Sequence, residues 1–409
     1  GAAFLVVNFW SLSLARTGFS VIDWLPLGLW MVCAFVGSQV LDRTLPHRDP
    51  LLFPVTMFMS GWGLVLIDRL APNFADRQII WLLISVVALL TVASLPHALR
   101  WLRTYRYILL VLGLVLLVST ILLGRNPSGQ AGAPALWLGI GDVFFQPSEA
   151  LKIILVAFLA SYLAEQYPAL RATTLYDSER LWLSPRIVGP ILLMWGLSIV
   201  ILVWQRDLGT AILFFAVFLV LLYVASGYTL ILAGGAILIV LAAIVAYNAF
   251  AVVQLRVDIW LNPWPEADGR AFQIVQSLLA FAAGGIFGQG VAQGSPTYIP
   301  VVHSDFVFAA LAEEWGLLGI LAVIACIAIL VARGLRIAIH QRGRPFFALL
   351  TVGLVMLIAA QSLLIMCGVL KLLPLTGVTL PYLSYGGSSL LASFVIMGLL
   401  LRLSSMQER

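Results

Sequence analysis

The sequence predicts an all-α polytopic membrane protein with about ten to twelve transmembrane helices and one large extracytoplasmic loop. Three observations carry this expectation. Of 409 residues, 62% are hydrophobic and only 10% charged, whereas a soluble domain carries about 25% charged residues. Mean hydropathy is +1.05, too high to come from one buried hairpin, so the apolar excess must extend along the whole chain. Apolar runs of the roughly 20 residues needed to cross hydrocarbon recur from end to end, and the basic residues between them are divided unequally.

In chain order, spans are expected at 23–41, 50–68, 78–96, 105–123, 147–164, 187–204, 208–227, 229–250, 306–332, 345–370 and 386–404. Residues 3–14 form a shorter twelfth candidate. The gaps hold turn-forming residues: Pro-His-Arg-Asp-Pro at 46–50, Gly-Arg-Asn-Pro-Ser-Gly at 124–129 and Gly/Pro-rich stretches within 262–300. No soluble domain fits between the spans, and the longest connection is 251–305. The start shows no cleavable signal-peptide pattern. Gly1 is not an initiator, so the native N-terminus is expected to be missing or replaced.

Orientation follows from the cations. Fourteen of them (Arg43, Arg48, Arg100, Arg103, Arg106, Arg171, Arg180, Arg186, Arg333, Arg336, Arg342, Arg344, Arg402 and Arg409) fall in one set of alternate loops and the C-terminus. Eight (Arg16, Arg69, Arg77, Arg125, Arg206, Arg256, Arg270 and Lys371) fall in the other, and Lys152 lies inside a span. The richer set is expected on the cytoplasmic side, which turns 124–146, 251–305 and 371–385 outward. The pI of about 9.3 then reflects cytoplasmic loops, and no nucleic-acid partner is expected. Cys33, Cys326 and Cys367 each sit in an apolar run, with neither disulfide nor zinc spacing.

Charges near the bilayer centre cost at least about 2.5 kcal/mol and usually face a cavity or a partner. Four places stand out. In Gln146-Pro147-Ser148-Glu149-Ala150-Leu151-Lys152, Pro147 suits a first helical turn, and Glu149 and Lys152 lie on one face, three residues apart. The pair is either a neutralised helix start or part of a substrate-facing surface. The turn Gln205-Arg206-Asp207-Leu208-Gly209-Thr210 either is a solvated turn with Asp207 as N-cap or presents Arg206 to an anion. The 251–305 segment carries Arg256, Asp258, Glu266, Asp268, Arg270, Gln273 and Gln276, then a Gly-rich run at 284–290 best read as close packing or a bend. A structureless connection of this length is usually functional. Trp260, Trp264 and Tyr298 read as interfacial anchors. Finally, His303-Ser304-Asp305 runs into a span with Glu313 and Glu314. On a helix, Asp305 and Glu313 would fall within about 80° of each other, with Glu314 opposite. His303 reads equally as an interfacial hydrogen-bonding residue, and one His beside carboxylates is weak evidence for a metal.

These residues gather at the outward ends of several spans and mix cations with carboxylates. Cations suit a phosphate group, and a carboxylate suits removal of a proton from a sugar hydroxyl. A lipid carrier with a pyrophosphate-linked sugar satisfies both. A transporter with a polar central cavity predicts a similar composition, although no inverted repeat is visible.

Residues 50–404 resemble the SEDS proteins (shape, elongation, division and sporulation), the group of RodA, FtsW and SpoVE. Six stretches carry the resemblance, in order. They are Phe145-Gln146-Pro147-Ser148-Glu149 with Lys152, Arg206-Asp207-Leu208-Gly209-Thr210, Trp260-Leu261-Asn262-Pro263 and Phe272-Gln273-Ile274-Val275-Gln276-Ser277. His303-Ser304-Asp305-Phe306 with Glu313-Glu314-Trp315-Gly316 follows, then Pro374-Leu375-Thr376-Gly377 with Pro381-Tyr382-Leu383-Ser384-Tyr385-Gly386-Gly387-Ser388-Ser389. Residues 1–45 then look like the additional N-terminal transmembrane region of twelve-span variants, ahead of a core at 46–409.

The resemblance implies a peptidoglycan glycosyltransferase in the bacterial cytoplasmic (inner) membrane, multi-pass, with its active site facing outside. The implied substrate is lipid II, a disaccharide-peptide on undecaprenyl pyrophosphate. The 4-hydroxyl of an acceptor GlcNAc attacks C1 of the donor MurNAc with inversion. The implied partner, besides membrane lipid, is a class B penicillin-binding protein, the transpeptidase. The family places an essential Asp four residues after the Asn or Asp of its Trp-x-Asn/Asp-Pro stretch; counted from Asn262, this is Glu266, with Asp268 two residues further on. The expected site is therefore Glu266 as general base, with Asp268 as the competing carboxylate. Glu149 and Lys152 shape the cavity floor, Arg77 and Arg206 hold pyrophosphate, and Gln146, Arg256, His303, Asp305 and Ser388 line the substrate. A divalent cation, Mg or Mn, is compatible with a pyrophosphate, though no ligand set is visible. The chain departs from the family pattern in carrying Glu rather than Asp at 266, and Leu136 before Trp137 where many members have Arg. Two alternatives stay open: a lipid II flippase, and a catalytically weakened scaffold for the penicillin-binding partner.

Overall fold

The computed structural model describes residues 1–16, 21–126, 135–141, 143–176 and 207–406, together with 189, 192, 193, 196, 197, 200, 203 and 205. Helices dominate: α1 (Ala2–Ala15), α2 (Leu25–Thr44), α3 (Leu52–Leu70), α4 (Ala75–Ser94), α5 (Ala98–Thr104), α6 (Arg106–Leu123) and α7 (Pro147–Tyr176). After α8 (Leu208–Ser226) come α9 (Leu230–Ala249), α10 (Ala251–Leu261), α11 (Phe272–Gly284), α12 (Val307–His340), α13 (Pro345–Val369) and α14 (Gly387–Ser404). The described strands are β1 (Leu138–Ile140) and β2 (Val143–Phe145), an antiparallel hairpin pairing Leu138 with Phe145.

Among the described residues nine helices are long and apolar enough to cross a membrane. The chain is a multi-pass membrane protein. The span expected at 50–68 forms α3, 19 residues long, with Asp68 and Arg69 in its last turn. The span expected at 187–204 lies mostly outside the described residues.

The chain divides into two compact units. The first comprises 1–95, 256–333 and 361–408, and the second 96–255 and 334–360. The N-terminal region therefore packs in one unit with α3 and α4. Trp30 Nε1 donates to the Met57 carbonyl at 2.8 Å, and Trp315 Nε1 donates to Asn8 Oδ1 at 3.0 Å. Arg16 Nη2 lies 3.0 Å from Asp68 Oδ1.

The 251–305 connection is not structureless. It forms α10, a 3₁₀ turn at Trp264–Glu266, α11 and a second 3₁₀ turn at Pro296–Tyr298. The Gly-rich run within it completes a broken helix. α12 leaves helical geometry at Gly316 (φ 65°, ψ −162°), which strands carbonyls before the break and N–H groups after it. Gln289 and Gly290 donate their N–H groups to the carbonyls of Glu313 and Glu314 at 2.8 and 3.0 Å. Leu317 and Leu318 donate theirs to Gly285 and Ile286 at 3.0 and 3.2 Å. The approach is so close that a Cβ on Gly284 would run into the Ala312 carbonyl.

In the second unit, Pro147 opens α7 and Asp207 caps α8, its Oδ1 accepting from the Thr210 N–H at 2.9 Å. Arg106 at the start of α6 is held by Glu165 through two bonds of 2.6 and 2.8 Å. These contacts fix where the helices start, and so where their polar ends lie.

Candidate functional site

The expected site residues fall in both units. Arg77, Arg256, Glu266, Asp268, His303, Asp305 and Ser388 belong to the first, and Gln146, Glu149 and Lys152 to the second. Arg206 lies outside the described residues.

In the first unit, non-helical segments bring distant residues together. The turn at 301–306 is bonded to the 371–386 connection: Tyr385 donates its N–H to the His303 carbonyl at 2.8 Å, and Ser384 Oγ donates to the Ser304 carbonyl at 2.6 Å. Phe74 stacks on Tyr385 with ring centroids 4.8 Å apart, and His303 packs on both rings at 5.1 and 5.6 Å. Burial lowers the proton affinity of His303, which favours its neutral form. Burial also raises the Tyr385 phenol above its ordinary range, opposed by the nearby charge and hydrogen bond of Arg77. The Arg77 guanidinium, exposed at the start of α4, is thus close enough to act on the Tyr385 hydroxyl.

A second cluster surrounds Gly377 (φ +72°). Arg256 on α10 donates from Nη1 to the Thr376 carbonyl at 3.4 Å. A Cβ placed on Gly377 would lie 3.7 Å from Asp305 Oδ2 and 3.8 Å from Arg256 Nη2, so both side chains reach the same point. Asp305 precedes α12 and sits in a turn rather than on the helix. The expected alignment of Asp305 with Glu313 is therefore corrected. Glu313 instead accepts from the Ser295 N–H at 2.6 Å, and Glu314 pairs with Arg69 Nε at 3.0 Å. Ser388 is buried in the first turn of α14. Its neighbour Ser389 accepts from Thr379 Oγ1 at 2.7 Å, and Gln361 Nε2 donates to the Thr379 carbonyl at 2.8 Å.

Glu266 ends the 3₁₀ turn after Pro263. Its Oε1 accepts from Arg270 Nη2 at 2.7 Å and its Oε2 from Arg270 Nε at 3.3 Å. The bond from Arg270, then its charge, hold the carboxyl below the usual glutamate range. Asp268 is exposed on the same turn.

In the second unit, Lys152 Nζ lies 2.6 Å from Glu149 Oε2, and the two side chains are only 6% and 11% exposed. Gln146 accepts the Glu149 N–H through its carbonyl at 3.1 Å, which seats the pair at the head of α7. This is a buried, neutralised pair.

Among the described residues no three His, Cys, Asp or Glu side chains converge as a metal site. Sequence reasoning missed Tyr385 as the partner of Arg77, and Arg270 as the partner of Glu266. The second could have been read from the four-residue spacing, and the first had no local signal.

The family model described as "Cell cycle protein" (FtsW, RodA, SpoVE) matches residues 51–409. "Peptidoglycan glycosyltransferase RodA" of Mycobacterium tuberculosis is 38% identical over 389 residues, covering 92% of this chain and 82% of the relative. "Stage V sporulation protein E" of Bacillus subtilis is 32% identical over 378 residues, covering 87% and 96%. Among solved structures, a chain of "Structural coordination of polymerization and crosslinking by a peptidoglycan synthase complex" superposes with a TM-score of 0.72 at 24% identity, covering 88% of this chain and 99% of that one. RodA of Thermus thermophilus superposes with a TM-score of 0.62 at 24% identity, covering 88% and 98%. At that identity the two structures speak to the fold.

Proposed function

The chain belongs to the FtsW, RodA and SpoVE family of cell cycle proteins, and from that premise we propose that it is a peptidoglycan glycosyltransferase acting on lipid II. It polymerises the disaccharide-peptide at the outer face of the cytoplasmic membrane. Glu266 takes the proton of the acceptor 4-hydroxyl as that oxygen bonds to C1 of the donor sugar. The C1–phosphate bond breaks on the opposite face, so the anomeric centre inverts, and undecaprenyl pyrophosphate leaves with the bonding electrons. Arg77 and Arg256, with Arg206, offset the charge that develops on the pyrophosphate. His303, Asp305 and Ser388 of the first unit, and Gln146, Glu149 and Lys152 of the second, are the substrate-binding residues of this reading.

The observation that supports this reading best is an ionised, solvent-accessible carboxylate, Glu266, in the same compact unit as the exposed Arg77 and the half-buried Arg256. A base needs access and an unprotonated state; phosphate recognition needs guanidinium groups held in place. The partner proposed is a class B penicillin-binding protein, which would cross-link the emerging strand. A divalent cation, Mg or Mn, is proposed only as one carried on the pyrophosphate oxygens; chelator should then slow polymerisation, and indifference to chelator removes the idea.

Purified protein in lipid vesicles with fluorescent lipid II is the test. Wild type should form glycan strands, Glu266→Gln should abolish them, and Asp268→Asn should retain them. Full activity in Glu266→Gln with loss in Asp268→Asn would move the base to Asp268. Lipid II movement across the vesicle without polymer in wild type would favour a flippase instead.

A further inference from the structure

We propose that Arg270 is a positioning residue for this reaction, a clamp that fixes the longer Glu266 side chain where the acceptor hydroxyl must be met. The inference rests on Glu266 being the base.

The first ground is the contact itself. Arg270 engages both carboxylate oxygens, at 2.7 Å through Nη2 and 3.3 Å through Nε. A two-point fork sets the plane of the carboxylate as well as its position, which a single bond or an ammonium group does not. Exposed pairs of this kind usually add little to stability, so the value of this one lies in orientation.

The second ground is the backbone. The pair spans four residues but does not lie on a helix: Glu266 ends a 3₁₀ turn and Arg270 lies in the turn before α11. The chain is folded back on Glu266 by two bonds to its carbonyl, from Gly269 N–H at 3.0 Å and Ala271 N–H at 3.1 Å. Between the partners stands Gly269, where a Cβ would come within 3.3 Å of Glu266 Oε2. The turn leaves room for the carboxylate to lie back against Arg270.

The third ground is chemical need. A glutamate carries one more methylene than an aspartate, with an added rotatable bond. A displacement of about 1 Å at a reacting group can cost about 100-fold in rate. The clamp removes that freedom yet leaves a lone pair on each oxygen for the substrate hydroxyl. Besides the mutual pull of Arg270 and Glu266, Asp258 of α10 acts on Arg270, and Asp268 is exposed on the same turn. Because Arg270 holds the carboxyl below its ordinary range, the base stays ionised as pH falls through that range, and removing Arg270 should move the acid limb of activity to higher pH.

The experiment measures kcat, KM and the pH profile for lipid II polymerisation. In Arg270→Gln, kcat should fall on the order of 10- to 100-fold, KM should change less than about twofold, and the acid limb should move up. Arg270→Lys keeps charge but not the fork, so it should restore much of the limb and less of kcat. Glu266→Asp combined with Arg270→Gln should outperform Arg270→Gln alone, because the shorter side chain needs no clamp. An unchanged kcat and acid limb in Arg270→Gln, or a raised KM with an unmoved limb, overturns the clamp; the latter makes Arg270 a phosphate ligand. The two levels separate cleanly: an active Glu266→Gln sinks the base and the clamp together, whereas an inactive Glu266→Gln beside a normal Arg270→Gln sinks the clamp alone.

Discussion

Breaking the Glu149–Lys152 pair from one side should damage the protein far more than replacing both partners. The Nζ–Oε2 separation is 2.6 Å, with the side chains 6% and 11% exposed. At an effective dielectric near 20, Coulomb attraction at that distance is worth about 6 kcal/mol. Desolvation costs several kcal/mol per ion, so the intact pair nets close to zero. Removing one partner keeps the other's desolvation cost and loses the attraction. Lys152→Met or Glu149→Gln should therefore each destabilise by about 3–5 kcal/mol. The double variant should return to within about 1 kcal/mol of wild type, giving a coupling energy of several kcal/mol in a double-mutant cycle. The assay is reversible denaturation in mixed micelles, followed by tryptophan fluorescence. Single variants each costing under about 1 kcal/mol, the range of a solvated surface pair, would refute the buried placement. Loss of polymerisation in a double variant with restored stability would show that the charges also serve the substrate.

Three further outcomes are expected. Arg69→Met leaves Glu314, whose side chain is 1% exposed, without its cation, and should cost about 3–5 kcal/mol; adding Glu314→Met should recover most of it in a thermal-shift measurement. Gly316→Ala places a side chain at φ 65°, ψ −162°, a region essentially reserved for glycine, and against the Gly288 amide; it should lose more than about 2 kcal/mol, while Gly343→Ala, with nothing within 4 Å, should melt like wild type. Tyr385→Phe keeps the ring stack on Phe74 and removes the hydroxyl that meets Arg77. A lost hydrogen bond of about 1 kcal/mol should raise KM for lipid II about fivefold with kcat little changed, and an unaltered KM would separate Arg77 from pyrophosphate binding.

The spans were legible because hydrophobic length is a local property: α4, α6, α8, α9, α13 and α14 lie within a few residues of where the apolar runs placed them. Pro147 and Asp207 were legible for the same reason, since each marks a helix start through its own backbone chemistry. Asp305 was misplaced because a helical projection assumes that the helix has begun, whereas the turn at 301–306 is held by bonds to the 371–386 connection and α12 starts only at Val307. The Gly-rich run announced close packing but not its partner. Only the break at Gly316, far along the chain, explains which carbonyls and N–H groups it serves. The Tyr385–Arg77 contact has no sequence signal at all, being a consequence of how α4 and the connection before α14 meet.

The non-helical backbone around the first unit's clusters is cross-tied, not loose. Trp260 Nε1 donates to the Lys371 carbonyl at 3.1 Å, Ser277 Oγ to the Val369 carbonyl at 3.1 Å, and Gln273 Nε2 to the Pro300 carbonyl at 3.2 Å. Tyr385, Ser384 and Gln361 add their bonds to His303, Ser304 and Thr379. Irregular backbone beside a membrane must satisfy its polar groups inside the protein, and here those bonds join the 301–306 turn, which carries Asp305, to the connection before α14. Glu266 stands apart from that net. It sits on an exposed turn, and the side-chain partner described for it is Arg270. Preorganisation of the proposed base therefore has to come from the turn itself, where the Arg270 guanidinium four residues on meets both carboxylate oxygens.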